Sequence, residues 1–218
     1  MFFTHHGMNS ISRAAPTHEE VISLVGGTRN SSNYYLPLST YGRNSISEVL
    51  YLASEIGTSG TITAIEYNIN YISSGSNITR NISIYMRNVT DTTLSSTTLK
   101  MDSSEKVFAN MNFRFDKNTY NASSTASWTW NKITLDKPFA YDSSKNLMIM
   151  FADSGLTYNI STAFTAYKPS TGTSPASRYR YNTISSDAYY PESNTYSTDI
   201  QATWRPCIRF TMQVPDQA

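Results

Sequence analysis

The chain has 218 residues, 39% of them hydrophobic, which is enough to bury one sizeable core, and no shift in composition marks a second. Its 17 basic and 16 acidic residues leave a net charge of +1 with no stripe of either sign, which argues against nucleic acid as a partner. No run approaches the ~20 apolar residues that span a bilayer, and the single cysteine, Cys207, excludes an intrachain disulfide.

Residues 1–27 read as an N-terminal arm or linker, interrupted by Pro16 and closed by the joint Gly26-Gly27. Its first residues, Met1 to Gly7, lack the basic stretch and apolar run of a secretory signal. Within the arm, Thr17 followed by Glu20 forms a capping-box pattern, so Thr17 to Leu24 is expected to contain a short helical turn.

Residues 28–218 read as one all-β domain. Only 15% of the chain is charged; Tyr supplies 16 positions, and Ser, Thr and Asn carry most of the remaining polarity. Tyr and Thr suit a pleated, half-buried surface, whereas Asn and Ser compete with helical hydrogen bonds and favour turns. The first strand is expected at Tyr34 to Leu38. Glu48 to Ile56 is ambiguous, with a strand-like start and a helical turn at Ala53-Ser54-Glu55.

Period-two alternation then recurs. Ile65, Tyr67, Ile69 and Tyr71 share one face of a strand over Thr61 to Tyr71, and Ile82, Ile84 and Met86 do the same over Asn81 to Arg87. Over Glu105 to Phe115, Val107, Ala109, Met111, Phe113 and Phe115 alternate with Phe108, Asn110, Asn112 and Arg114. Further strands follow at Trp128 to Leu135, Asn146 to Ala152, Thr162 to Tyr167, Arg178 to Tyr181 and Pro206 to Met212. The run Leu147-Met148-Ile149-Met150-Phe151 is apolar on both faces, which predicts a central strand covered on each side. The pattern predicts an antiparallel β-sandwich or jelly-roll preceded by the N-terminal arm.

Several phrases in this order, Tyr51-Leu52-Ala53-Ser54-Glu55-Ile56-Gly57, Gly60-Thr61-Ile62-Thr63-Ala64-Ile65, Ile82-Ser83-Ile84-Tyr85-Met86 and Trp204-Arg205-Pro206-Cys207-Ile208-Arg209-Phe210, resemble a β-sandwich module recurrent in secreted surface proteins of Bacteroidota and related bacteria. The resemblance spans roughly residues 28 to 213. It implies a non-catalytic module for adhesion or display, extracellular or on the cell surface. The chain departs from that pattern by standing alone and lacking a secretory signal. These departures raise a second reading, a structural protein in the virion of a phage infecting such hosts.

The chemistry-bearing residues are few. His5, His6 and His18 all lie in the arm, away from the predicted strands, so the usual triads have no base, no catalytic residue is assigned and no metal site is expected. Glu55, Glu66, Asp116 and Asp153 are the acids nearest predicted strands, and a glycosidase pair among them is the distant alternative. Asp116 to Tyr120 opens like a calcium loop but lacks its glycine and distal glutamate, so no cofactor is assigned beyond an unsupported structural calcium. Trp128 and Trp130 share a strand face and are read as core.

Tyr179, Tyr181, Tyr189, Tyr190 and Tyr196 crowd one C-terminal stretch. A tyrosine ring can anchor a loop, or stack on a sugar or protein surface while its hydroxyl stays wet. These five are the ligand-contact candidates. The partners expected are glycans, proteins, or further copies of the chain joined through the N-terminal arm.

Overall fold

A computed structural model describes residues 14–33, 35–39, 42–72, 78–94, 98–99, 101, 103–115, 129–154, 162–168, 176–182, 189, 196–197 and 200–216. In chain order the elements are β1 (Thr17–Leu24), β2 (Thr28–Asn33), β3 (Asn44–Tyr51), α1 (Ala53–Ile56), β4 (Gly60–Ile72), β5 (Ile78–Val89), β6 (Thr98–Leu99), β7 (Glu105–Phe115), β8 (Thr129–Tyr141), β9 (Asn146–Asp153), β10 (Thr162–Lys168), β11 (Ser177–Asn182), β12 (Tyr196–Ser197), β13 (Ile200–Ala202), β14 (Arg205–Pro206) and β15 (Ile208–Pro215).

Two antiparallel sheets pack face to face as a β-sandwich. The first runs β1-β15-β4-β10-β14, with β8 also on β4 and β2 on β10; the second runs β13-β11-β3-β9-β5-β7. β6 and β12 form a separate two-stranded ribbon. Between the sheets lie Ile62, Ile65, Tyr67, Ile69, Phe210 and Met212 from the first and Val49, Tyr51, Ile82, Ile84, Met86, Ile149 and Phe151 from the second, all buried. A bulge between Ile62 and Ala64 shifts the phase of β4, which lets Ile62 and Ile65 both face inward despite an odd spacing. One corner closes where β7 meets β8: Ala109 N–H donates to Asp136 Oδ2 at 3.0 Å, and Lys137 pairs with Glu105.

β9 sits inside its sheet and is buried from Leu147 to Asp153. Its inward residues Leu147, Ile149 and Phe151 join the main core. Met148 meets Leu50, Val89 and Leu94 on the other face, while Met150 meets Ile46, Tyr85, Leu99 and Tyr189. The outer face of this sheet is therefore covered by Leu94, Leu99 and Tyr189, as the doubly apolar run predicts.

Three expectations need correction. Thr17–Leu24 is a strand and contains no helical turn; it pairs in full register with β15, from Thr17 opposite Pro215 to Leu24 opposite Ile208. Burial of Leu24 against this partner outweighs a local capping pattern whose helix would have had no packed face. Thus residues 17–24 of the expected arm form an edge strand of the sandwich itself.

Residues 35–38, expected as the first strand, form a bent loop whose Leu36–Pro37 bond is cis. Its polar groups bond to side chains: Ser47 Oγ donates to Pro37 O at 2.5 Å, and Ser39 N–H donates to Ser45 Oγ at 2.8 Å. Leu36 and Leu38 are buried, so the loop plugs the open end of the sandwich.

The clean alternation of β7 is broken by two register shifts against β5, between Arg80 and Ile82 and between Ile84 and Tyr85. Met111 consequently stands 75% exposed, whereas Phe108, expected on the opposite face, packs edge-on against Phe113, with ring centroids 5.7 Å apart. Each extra residue inverts the face of everything beyond it.

Candidate functional site

The sheet register defines two poles. At one, Tyr51, Gly60, Tyr141, Asn146 and Gln213 come together through Tyr51 opposite Leu147, Gly60 opposite Tyr141 and Thr61 opposite Gln213. Pro16 and Asp216 adjoin at this pole, where Asp216 N–H donates to Pro16 O at 2.9 Å and the Asp216 carboxylate meets His18 Nδ1 at 2.8 Å. At the opposite pole lie Ser45, Asp153 and Asn182, together with the loop that carries Tyr35.

That second pole holds an aromatic shelf. Tyr179 and Tyr181 are two apart on β11 and share a face. Tyr35 lies over both rings, stacked on Tyr179 at 5.0 Å with 14° between planes and tilted over Tyr181 at 5.7 Å. Tyr179 is buried, while Tyr35 and Tyr181 are each partly open to solvent. Burial, reinforced by the two neighbouring phenols, pushes the Tyr179 hydroxyl up to about 12. Beside the shelf, the main-chain N–H of the exposed Arg43 donates to Asn182 O at 2.8 Å.

The five tyrosine candidates therefore separate. Tyr179 and Tyr181 stand together on the inward face of β11. Tyr189 is buried on the outer face of the second sheet, against Met150, Ile46 and Tyr85. Tyr196 belongs to β12, opposite Leu99 of β6, and Tyr190 lies outside the described residues. Tyr35 was not among the candidates, because nothing local to it signals that the chain folds back onto β11.

Glu48, Glu55 and Asp153 are held by arginines. Glu55, in α1, accepts Leu52 N–H at 3.0 Å and pairs with Arg205 at 3.0 Å, with the Tyr167 hydroxyl at 3.4 Å. Burial drives the hydroxyls of Tyr51, Tyr67 and Tyr167 well above the usual phenol range. Asp153, wholly buried, pairs with Arg80 at 2.7 Å. Glu48, also wholly buried, receives Arg178 Nε at 2.6 Å and the same guanidinium's Nη2, and Arg87 at 3.2 Å on its other oxygen. Glu66 is half-buried opposite both Lys132 and Arg209. The guanidinium of Arg209 lies 4.1 Å from the ring of Trp130, which is itself only half-buried.

Asp116 to Tyr120, Trp128, His5 and His6 lie outside the described residues. Among the described residues no three His, Cys, Asp or Glu side chains converge as a metal site, and no helix is long and apolar enough to cross a membrane. No protein-family model, no curated protein and no solved structure matches this chain.

Proposed function

We propose that this domain is a non-catalytic binding and display module, extracellular or on the cell surface, that meets its ligand at the pole carrying Tyr35, Tyr179 and Tyr181. The observation that carries this reading is the stack itself: two partly open rings braced on a buried third, on a rigid strand. Rigid aromatics lose little conformational freedom on binding and present an apolar face with a polar tip, which suits the face of a sugar ring. The placement of Pro16 and Asp216 at the far pole supports display, since the shelf then points away from them. Engagement of Glu48, Glu55 and Asp153 by arginines supports a structural role for these acids over a catalytic one.

A glycan panel followed by calorimetry tests the reading. The wild-type domain should bind at least one glycan class, and Tyr181→Ala should weaken binding tenfold or more while leaving the melting temperature within a few degrees. Glycan binding that survives Tyr181→Ala unchanged would put the site elsewhere.

A second reading, a virion component, is favoured by β1, which among the described residues pairs only with β15 and leaves an edge that a neighbouring copy could extend. Light scattering of the full chain against Val21→Lys, which puts a charge on this exposed edge strand, separates the two. A defined oligomer that is lost in the variant supports assembly.

A further inference from the structure

We infer that the buried pair Arg80–Asp153 is a positioning device that holds Tyr35 over Tyr179, so that the shelf is assembled before any ligand arrives. This rests on the reading of the shelf as the binding site.

The chain of contacts is short. β5 runs past the end of β9: Ile82 is opposite Asp153, and Ser154 N–H donates to Asn81 O at 2.9 Å. Arg80, two residues further along, thus lies beyond the last paired residue of β9 and reaches the Asp153 carboxylate at 2.7 Å. The same guanidinium nitrogen donates to Ser39 O at 2.9 Å and to Gly42 O at 3.2 Å. These two carbonyls bracket the end of the loop that begins at Tyr35. Ser45 and Ser47 hold its middle at Ser39 N and Pro37 O. Arg80 and Asp153 are 1% and 0% exposed, so the guanidinium cannot exchange these carbonyls for bulk water.

A charge pair this deep is weak evidence for stability, because apolar residues of similar volume often serve as well. What an apolar substitute cannot do is donate to two loop carbonyls. The pair therefore specifies where the loop lies more than whether the domain folds. Tyr35 is carried on that loop, and its ring is the cover that keeps Tyr179 buried.

The test uses the full chain and two variants. Arg80→Met alone strands a buried carboxylate and is expected to unfold or destabilise the domain, so the informative protein is the double variant Arg80→Met/Asp153→Leu. Nitration by tetranitromethane, located by peptide fragmentation, reads out the rings directly and needs no ligand. The double variant should melt within a few degrees of wild type, yet Tyr179 should be nitrated at least fivefold faster, approaching its rate in Tyr35→Ala. Unchanged Tyr179 protection in a folded double variant overturns the inference, as does a double variant that is unfolded, since the pair would then serve stability. If wild type binds no glycan while Tyr179 becomes reactive in the double variant, the positioning stands and the sugar reading fails.

Discussion

Replacing Glu48 with alanine strands Arg178, whose side chain is 6% exposed, and releases Arg87, which at 11% lies closer to water and can hydrate. One guanidinium is then left buried without its carboxylate, a loss that typically amounts to about 3–5 kcal/mol. Set against a total stability on the order of 5–15 kcal/mol, this is roughly a fifth or more of the fold's reserve. With a urea dependence of about 2–3 kcal/mol per molar, the denaturation midpoint should fall by roughly 1–2.5 M. The triple replacement Glu48→Leu/Arg87→Met/Arg178→Met removes all three charges and keeps most of the volume, so it should stay within about 1–2 kcal/mol of wild type. Urea unfolding followed by tryptophan fluorescence measures both. A Glu48→Ala loss below ~1 kcal/mol, or a triple variant as weak as the single one, would refute the claim that the network is dry and balanced.

Alkaline pH offers a second test. The Tyr141 and Tyr179 hydroxyls are raised to about 12 by burial, against an ordinary value near 10. A phenol held neutral in the folded state stabilises it fully below pH ~10, and that contribution is lost as pH rises through the folded value, so stability should decline between about pH 10 and 12. Absorbance at the tyrosinate band should show Tyr51, Tyr67 and Tyr167 ionising only as the fold is lost. Gly60→Ala places a Cβ 2.6 Å from Gln213 O and should destabilise by about 1–3 kcal/mol. Gly26→Ala meets nothing within 4 Å and should be neutral or slightly stabilising; thermal melts compare the two. On β7, Met111→Thr should change stability by less than ~0.5 kcal/mol, whereas Phe115→Ala should cost about 3–5 kcal/mol. Equal effects would restore the uninterrupted alternation.

The β-sandwich was legible because its strands carry their own signal. β9 is the clearest instance, since five consecutive apolar residues leave no polar face and so demand cover on both sides. β7 was half legible: the strand spans Glu105–Phe115 as expected, but two bulges, set by pairing with β5, decide that Phe108 goes in and Met111 out. β1 was misread because its partner lies nearly two hundred residues away, and the local capping pattern carried no trace of that pairing. Shorter but still long separations hid Tyr35 from the tyrosines of β11, and Arg80 from Asp153. Asp153 and Glu55 were visible as acids beside strands; that they are tied to arginines is a property of the folded chain alone.

The meeting of Pro16 and Asp216 at one pole also determines how the domain transmits tension. β15 starts at Ile208 and ends beside that pole, bonded along its length to β1 on one side and β4 on the other. A pull applied at Ile208 and resisted at Asp216 runs along β15, so the hydrogen bonds of both ladders are loaded together, in shear. A pull between Pro16 and Asp216 opens the β1–β15 ladder one rung at a time, like a zipper. The same two strands are thus strong against tension along their length and weak against separation of their neighbouring ends.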